Sequence, residues 1–416
     1  MNDKTGKIDE GMQRSPSIKA RAGEASPIEL EKLIATSQMV SGNFAALDPA
    51  LTGRVARLVD WLNDQPPLSS ERKAGVELQL RKLLANRLRL AADRKKIPGI
   101  SEEKIERPIF VIGFARTGTT LLHSLLAEDP EARAPLWWHT HDPSPPPGQV
   151  PVVAERIEFT GKELDELILR TPGFLALHPY WDKRGMCPIE DEEIFTLDFQ
   201  NAYPTLIWKV PALALLLDAA DPAEAYGFQK QFLQHLQWNQ PKGHWVVKGI
   251  YHQFVLDALF EAYPDALCIW PHRDPLDVWP STLAITAVLY GAITDWAMDF
   301  KELGPAFISS VGASLSQAIQ NPLIDDPRIV HVDFRELAKD PVATIKTAYA
   351  HWGKTFSPEF EQRMRAWLAD PANRPDRYGR YDYGLEPFGL DREMLEEAFA
   401  PYRERYGFTS GGKATS

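Results

Sequence analysis

The segment RPIFVIGFARTGTTLLHSLL, from Arg107 to Leu126, carries the most informative pattern in this chain. Ile109 to Ile112 is a short apolar run rich in strand-forming residues, and Gly113 to Gly118 has the composition of a turn. Thr119 to Leu126 then keeps the apolar spacing of a buried helix. The pattern therefore predicts a strand, a loop and a helix in direct succession.

The predicted loop resembles the phosphate-binding pattern G-x-x-x-x-G-K-[ST]. Gly113 and Gly118 have its spacing and Thr120 its hydroxyl position, but Thr119 stands where the lysine belongs. Because that lysine reaches the β and γ phosphates of ATP, its absence argues against phosphoryl transfer from a triphosphate. The cation here is Arg116, inside the loop, where backbone N–H groups and a guanidinium suit a shorter anionic group.

Composition limits the class of protein. A length of 416 residues with 44% apolar and 25% charged residues is typical of a soluble globular chain of two or three domains. The net charge of -11, without any Lys/Arg-rich run, disfavours nucleic acid as a partner. Two separated cysteines, Cys187 and Cys268, indicate neither a disulfide framework nor a metal site. With no secretory or membrane-spanning segment, we predict a cytoplasmic protein.

The chain divides into three parts. Residues 1–26 lack apolar periodicity and are predicted to be mobile, and residues 27–100 are predicted to form a helical preface of two or three helices. Residues 101–410 are predicted to form one α/β domain, a parallel sheet flanked by helices, with a helical insertion at 154–240. Because the insertion separates two strands, it is a candidate roof for an apolar acceptor pocket.

A second predicted strand, 244–247, ends at Lys248, and His252 opens the helix that follows. Ligands bind beyond the carboxyl ends of the strands in open α/β sheets, so Lys248 is expected to face the same crevice as the first loop. The alternative is an ordinary surface lysine.

A third predicted strand, 266–270, leads into a turn that carries Arg273. Ser281 lies eight positions later on the following helix, so the two side chains are expected to converge on one small anion. Pairing of Arg273 with Asp277 is the structural alternative.

The proline-rich segment 133–148, RAPLWWHTHDPSPPPG, is predicted to run extended over the surface. It contains His139 and His141, and a histidine can take a proton from a hydroxyl within hydrogen-bond reach. A partly exposed loop histidine without a chemical role is the alternative.

Three motifs together, GFARTGTTLL at Gly113, WVVKGI at Trp245 and HRDPLDVWPS at His272, resemble the PAPS-dependent sulfotransferase superfamily. The likeness is to its bacterial branch related to tyrosylprotein sulfotransferases, and it extends roughly from Arg107 to Leu390. It implies that a phosphosulfate loop holds the 5′-phosphosulfate, formed here by Ala115, Arg116, Thr117, Gly118, Thr119 and Thr120.

The same resemblance assigns roles to three further positions. Arg273 and Ser281 match, in type and spacing, the pair that holds the 3′-phosphate of the adenosine. Lys248 is implied to stabilise the bridging or transferring oxygens, with Arg116 as the basic residue of the loop. Arg380 is a further implied 3′-phosphate ligand, in a closing segment where Tyr381 replaces the histidine of the family.

The resemblance leaves the catalytic base open. Related bacterial sequences read PLTWE before the proline stretch, and this chain reads PLWWH, so His139 fills the place of a catalytic glutamate. His252 is the second candidate, although KGIYH stands where relatives commonly have KSP followed by a histidine.

The sequence thus predicts a sulfotransferase that moves the sulfuryl group of PAPS to a hydroxyl or amine. The acceptor is expected to be a small, apolar or aromatic molecule, and in-line displacement requires neither a metal nor a covalent intermediate. A P-loop kinase or nucleoside triphosphatase is the first alternative, and it needs the missing lysine. A catalytically silent nucleotide-binding homologue is the second, suggested by His139.

Overall fold

The computed structural model describes residues 6–7, 26–64, 68–149, 153–171, 173–200, 221–241, 243–293, 299–379, 381–382 and 384–408. In these ranges the central sheet has five parallel strands: β1 Ile109–Ile112, β2 Ala132–Arg133, β3 His244–Gly249, β4 Leu267–His272 and β5 Ile329–Asp333. Their spatial order is β2-β3-β1-β4-β5. After β1 the chain forms the edge strand β2, returns to form β3 between β2 and β1, and then crosses to β4 on the other side of β1. β1 therefore lies at the topological switch point, where such sheets bind ligands.

Helices surround this sheet. They are α1 Leu30–Ser41, α2 Pro49–Asn63, α3 Ser70–Lys96, α4 Thr119–Leu126, α5 Trp137–His141, α6 Ala154–Arg170, α7 Phe174–Leu177, α8 Asp191–Leu197, α9 Pro222–Gln237, α10 Leu256–Ala262, α11 Pro275–Ile293, α12 Phe300–Ala318, α13 Phe334–Lys339, α14 Pro341–His351, α15 Pro358–Ala369, α16 Arg392–Ala398 and α17 Ala400–Arg405. Short 3-10 helices lie at Pro98–Glu102, Pro147–Gln149, Pro179–Met186, His252–Phe254, Pro322–Asp325, Pro371–Asn373 and Glu386–Phe388.

Both faces of the sheet are buried, which explains why β1 is apolar at every position. Ile109 and Val111 contribute to a cluster with α4, α14 and α15 on one face. Phe110 and Ile112 point the other way, into a larger cluster that includes the insertion helices α8 and α9 and the later helix α12. The alternation follows from the two-residue period of a strand. The fold class predicted from the sequence is therefore confirmed.

The N-terminal helices α1 to α3 share a cluster of their own and dock on the insertion through an ion-pair network. Arg54 Nη2 lies 2.6 Å and Arg87 Nε 2.5 Å from opposite carboxylate oxygens of the buried Asp198, which follows α8. Two guanidinium groups thus compensate one buried charge, as a desolvated carboxylate requires. Of the segment predicted to be mobile, residues 1–26, nearly all lies outside the described residues; Gly6–Lys7 pairs in parallel with Tyr381–Asp382.

The structure differs from the sequence-based expectation in the segment 133–148. It is not extended throughout, because α5 forms inside it and buries both Trp137 and Trp138. An antiparallel bridge between Leu136 and Pro188 also ties the segment to the insertion. The aromatic burial outweighs the extended preference of the nearby prolines. β4 is also longer than expected, since it continues through His272 and so places Arg273 directly at the edge of the sheet.

Candidate active site

The loop between β1 and α4 is shaped by two glycines with positive φ angles, 117° at Gly113 and 97° at Gly118. A Cβ on Gly118 would lie 2.8 Å from Leu337 Cδ2, so the loop packs too closely for a side chain there. Thr117 Oγ1 donates to Phe114 O at 2.7 Å and closes the turn. Gly118 gives α4 no side-chain cap, so the first-turn N–H groups point toward the loop without a competing side-chain acceptor.

Arg116 joins this loop to two other elements. Its Nε donates to Ser281 Oγ of α11 at 2.8 Å, and its Nη1 donates to Leu177 O of α7 at 2.7 Å. Arg273 Nη1, at the end of β4, donates to the carbonyl oxygen of Arg116 at 3.1 Å. The structure therefore brings Arg116, Arg273 and Ser281 into one cluster. The alternative partner of Arg273, Asp277, lies at 4.0 Å on the exposed side.

Arg273 is also supported by α13. Its guanidinium lies 4.6 Å from the centre of the Phe334 ring, and its side chain remains 32% exposed. A stacked and partly exposed guanidinium keeps donors available to an anion. This arrangement suits a phosphate that approaches from solvent.

Lys248 lies near the end of β3 and is almost completely buried. Its ammonium contacts the carboxylate of Glu190, which precedes α8. Burial alone would raise the pKa of Glu190, but the nearby Lys248 outweighs it, with smaller contributions from His178 and His123, and the pKa lies below its ordinary value. Glu190 is therefore ionised at neutral pH. It lies in the insertion, at the start of an acidic run from Glu190 to Glu193 and outside the motifs that carry the family resemblance, so no role for it was predicted from the sequence.

Arg116 and Lys248 border a large cavity. Its volume is about 1260 Å³, and the residues that line it include Ala115, Arg116, Thr119, Thr120, Lys248 and Glu190. Arg273 and Ser281 are not among its described lining residues and lie behind Arg116 instead. The loop residues and Lys248 thus face one shared space, as the parallel sheet leads one to expect.

Beyond Lys248 the cavity wall is mainly apolar, with Phe114, Trp181, Phe254, Trp279, Phe307 and Val311 among its residues. One face of α12 lines it from Leu303 to Ala318. At a rise of about 1.5 Å per residue, that face extends over roughly 22 Å. The space is therefore elongated, and it is larger than a pocket for a compact drug-sized ligand of about 300 to 1,000 Å³.

His252, one of the two predicted bases, is completely buried and is not among the described residues that line the cavity. Its Nδ1 lies 2.7 Å from Tyr226 Oη and its Nε2 lies 2.9 Å from Asp191 Oδ2. Burial raises the pKa of Asp191, and His252 opposes that shift. Both ring nitrogens thus face internal partners, and His252 braces the turn after β3.

His139, the other predicted base, also lies away from the described cavity wall. Its Nδ1 accepts from the Leu136 N–H at 3.0 Å, and its ring packs against Trp138. Burial, together with Arg156 and His235, lowers its pKa to about 3. Arg380, the further implied phosphate ligand, lies outside the described residues.

Two other histidines line the cavity, and neither was predicted from the sequence. His123 is on the inner face of α4, and burial and Lys248 lower its pKa to about 3. His178 follows α7, and burial and Lys248 lower its pKa to about 4. His123 fits the apolar spacing of the buried helix α4, so its sequence position indicated core packing and not a place in the cavity wall. Both rings are neutral at pH 7.

The turn that carries Arg273 is held from behind by α17. Tyr402 Oη lies 2.7 Å from His272 Nδ1, and the guanidinium of Arg403 donates to both carboxylate oxygens of Asp274 at 3.0 and 3.2 Å. These contacts, here named the Tyr402–Arg403 clamp, flank Arg273 on both sides in sequence. Its position is therefore set by a helix 129 to 130 residues away along the chain.

The described residues contain no group of three or more His, Cys, Asp or Glu side chains arranged to hold a metal ion. None of the helices that the structure describes is both long enough and apolar enough to cross a membrane.

The fold and the loop define an α/β protein with an anion-binding site at the switch point of a parallel sheet. A model of the Sulfotransferase family matches residues 108–358, and the chain belongs to this family. The resemblance inferred from the motifs is thereby confirmed.

Relatives and solved structures agree with this membership. The omega-hydroxy-beta-dihydromenaquinone-9 sulfotransferases Stf3 of Mycobacterium bovis and Mycobacterium tuberculosis are each 26% identical over 318 residues, which is 72% of this chain and 75% of theirs. The crystal structure of sulfotransferase STF9 from Mycobacterium avium is 26% identical, with a TM-score of 0.80 over 94% of this chain and 99% of that chain. Sulfotransferase STF1 from M. tuberculosis H37Rv is 25% identical, with a TM-score of 0.74 over 90% and 98%.

Proposed function

We propose that this protein transfers the sulfuryl group of PAPS to the hydroxyl of an elongated, lipophilic small-molecule acceptor. The observation that carries the proposal is the meeting of Arg116, Arg273 and Ser281 beside a cavity bordered by Lys248. PAPS has two anionic ends, a 3′-phosphate and a 5′-phosphosulfate, and the site offers a separate cation to each. Membership of the family supports sulfuryl transfer.

In this proposal the donor lies along the edge of the sheet. Arg273 and Ser281 bind the 3′-phosphate, and the loop from Ala115 to Thr120 binds the 5′-phosphosulfate through N–H groups and Arg116. Arg116 would then exchange its present contact with Ser281 for the donor. The absence of a side chain on Gly118 gives the loop its close packing and its open N–H groups.

Catalysis follows from positioning and charge. In-line displacement at sulfur leaves negative charge on the oxygen of the departing phosphate, and Lys248 is a buried cation that lines the cavity together with the loop residues. Fixed N–H donors and a buried ammonium stabilise such charge without reorganisation, because they are held in place before the reaction.

The acceptor class follows from the cavity wall. Aromatic and aliphatic side chains form most of the wall, and Ser310, Ser314 and Gln317 on α12 are polar exceptions, so a polar sugar or a peptide would leave most of its hydrogen-bonding groups unpaired there. A long apolar body with a terminal hydroxyl would satisfy the wall and bring its oxygen to Lys248. The Stf3 relatives carry the name of an omega-hydroxylated menaquinone, which is a lipophilic alcohol.

Two experiments test the proposal. Adenosine 3′,5′-bisphosphate should raise the unfolding temperature, because a ligand at a hundred times its Kd stabilises by about 2.7 kcal/mol, whereas ATP with Mg²⁺ should have little effect. Radiolabelled transfer from PAPS should then increase along the series geraniol, farnesol and geranylgeraniol. Stabilisation by ATP alone would refute the donor assignment, and binding of the bisphosphate without any transfer would indicate a silent homologue.

A further inference from the structure

The turn that carries Arg273 is connected to the neighbouring strand by a chain of three hydrogen bonds. Tyr402 Oη lies 2.7 Å from His272 Nδ1, and His272 Nε2 lies 2.8 Å from His331 Nδ1. His331 Nε2 then lies 2.8 Å from the carbonyl oxygen of Ile324. His331 belongs to β5, and Ile324 to the 3-10 helix before it. The chain therefore reaches from α17 to the outer strand of the sheet.

Both imidazoles of the chain are neutral at pH 7. Burial, His331 and Arg405 hold the pKa of His272 well below its ordinary value. Burial and Arg405 also lower the pKa of His331, although the Ile324 carbonyl and Asp325 oppose that shift. A neutral imidazole has one donor and one acceptor nitrogen, as a continuous chain requires.

The direction of the chain is set at one end by the backbone. Ile324 contributes a carbonyl oxygen, which can only accept, so His331 carries its proton on Nε2. The bare Nδ1 of His331 then accepts from the Nε2–H of His272. His272 in turn has a bare Nδ1, and the hydroxyl of Tyr402 donates to it. One arrangement of protons therefore satisfies all three hydrogen bonds.

We infer that His331 is a positioning residue for the proposed 3′-phosphate site, because it fixes the tautomer of His272 and thereby the hydrogen bond from Tyr402. This inference rests on the proposed function, which assigns Arg273 to the 3′-phosphate. His331 is not among the described residues that line the cavity. It acts instead through His272, the residue immediately before Arg273.

The other tautomer of His272 would create two unfavourable contacts. Its bare Nε2 would face the bare Nδ1 of His331 at 2.8 Å, where two lone pairs repel each other. Its Nδ1–H would make the hydroxyl of Tyr402 an acceptor, and the hydroxyl proton would lose this partner inside the protein. A buried polar group without a partner costs free energy. His331 therefore selects the tautomer that accepts from Tyr402.

Packing keeps the two rings aligned for this role. Their centroids are 5.0 Å apart and their planes 21° apart, and Tyr406 stacks on His272 at 3.6 Å and 16°. His331 is paired in register with Trp270, and positions 270 and 272 of β4 face the same side of the sheet. The strand register thus places the two histidines side by side.

A loosened turn would weaken nucleotide binding without removing a ligand contact. If Arg273 occupies its binding position for only a fraction of the time, the apparent affinity falls by that fraction. The loss of one neutral hydrogen bond in the chain should weaken binding by about 3- to 10-fold. The effect should be confined to ligands with a 3′-phosphate, because the loop between β1 and α4 keeps its own contacts.

The test compares two replacements of His331. His331→Leu removes both ring nitrogens, whereas the amide of His331→Gln can accept from His272 and donate to the Ile324 carbonyl. The measurement is the Kd of adenosine 5′-monophosphate divided by that of adenosine 3′,5′-bisphosphate. His331→Leu should lower this ratio by about 3- to 10-fold, and His331→Gln should restore it.

His351→Leu is the matched control. His351 Nε2 also lies 2.8 Å from a backbone carbonyl, that of Pro327, but its ring has no contact with His272 among the described residues. This variant should keep the wild-type ratio. An unchanged ratio in His331→Leu, or a His331→Gln variant that binds like His331→Leu, would contradict the inference.

A combination with Arg273→Ala separates positioning from a general loss of structure. Because His331 acts on the ratio only through Arg273, His331→Leu should not lower the ratio further when Arg273 is already alanine. A further fall in that background would overturn the inference, since His331 would then affect the nucleotide by another route.

A spectroscopic measurement on the wild type requires no variant to fold. Long-range ¹H–¹⁵N correlation spectra of protein labelled at histidine report which ring nitrogen carries the proton. His272 and His331 should both be protonated on Nε2 and bare on Nδ1 at pH 7. An Nδ1–H tautomer at His272 would refute the direction of the chain and with it the role of His331.

The proposed function and this inference fail differently. If the wild type binds the two nucleotides equally well, the 3′-phosphate site is refuted, and the proposed donor with it. If the wild type prefers the bisphosphate, and Arg273→Ala loses that preference while His331→Leu keeps it, only the role of His331 is refuted.

Discussion

Replacement of Arg273 by alanine tests the proposed donor site most directly. Arg273 lies at the end of β4, with Nη1 3.1 Å from the carbonyl oxygen of Arg116 and its guanidinium stacked on Phe334. The change removes the positive charge assigned to the 3′-phosphate and leaves the loop that is assigned to the 5′ end. We therefore expect a loss of affinity confined to ligands that carry a 3′-phosphate.

The size of the loss follows from the environment of the side chain. A hydrogen bond to a charged group contributes about 1.5–3 kcal/mol, and the 32% exposure of Arg273 favours the lower part of that range. A loss of about 1.5–2 kcal/mol corresponds to roughly 10- to 30-fold weaker binding. The folded protein itself should lose little stability, because the stacking on Phe334 contributes only about 0.5–1 kcal/mol.

The assay is isothermal titration calorimetry with adenosine 3′,5′-bisphosphate and with adenosine 5′-monophosphate. Arg273→Ala should weaken the first ligand by the stated factor and leave the second nearly unchanged. Arg335→Ala is the matched control, since Arg335 stands just beyond β5, the neighbouring strand, and is paired with Asp333. It should affect neither ligand.

An equal loss for both nucleotides would refute the assignment of Arg273 to the 3′-phosphate. It would mean that the arginine supports the whole loop through Arg116 and does not read one phosphate. An unchanged affinity for both would place the 3′-phosphate elsewhere in the cleft.

Two further predictions concern stability. Gly118→Ala should destabilise the fold more than Gly42→Ala does. Both glycines have a positive φ, which costs an alanine about 1–2 kcal/mol, but only at Gly118 would the new Cβ also lie 2.8 Å from Leu337. Equal denaturation midpoints for the two variants would contradict this. His123 should make the folded protein less stable in acid. Burial and Lys248 hold its folded pKa at about 3, below the ordinary 6.5. Its contribution to the free energy of unfolding is therefore complete above pH 6.5 and is lost as the pH falls toward 3. The free energy of unfolding should change by at most about 1.4 kcal/mol per pH unit through this group. Urea denaturation at several pH values should show a flatter dependence of that free energy on pH for His123→Gln than for the wild type. An unchanged slope would contradict the role given to His123.

Local sequence patterns were sufficient to predict which residues lie at the edge of the sheet where the strands end. The strand, loop and helix around Gly113 to Gly118 follow from short-range composition, and the cations Lys248 and Arg273 were expected at strand ends that all lie at the same edge. These inferences held because parallel strands place their carboxyl ends together whatever the intervening chain does.

Other residues that line the cavity could not be predicted from local patterns. Glu190 and His178 come from the insertion, where the pairing of Leu136 with Pro188 brings together residues far apart in sequence. His139 and His252 had the right chemistry, but tertiary packing turned both rings toward internal partners. A histidine in a motif does not reveal which way its ring faces, because that depends on contacts that no local pattern encodes.

The Tyr402–Arg403 clamp has a consequence for biosynthesis. The turn bearing Arg273 emerges from the ribosome well before the tyrosine and arginine that fasten it, which are made 129 to 130 codons later. All five strands are therefore synthesised before the residues that fasten the turn carrying the proposed 3′-phosphate ligand. Proteolysis or premature termination ahead of α17 would remove both contacts, together with the buried Tyr402, and should weaken binding at Arg273.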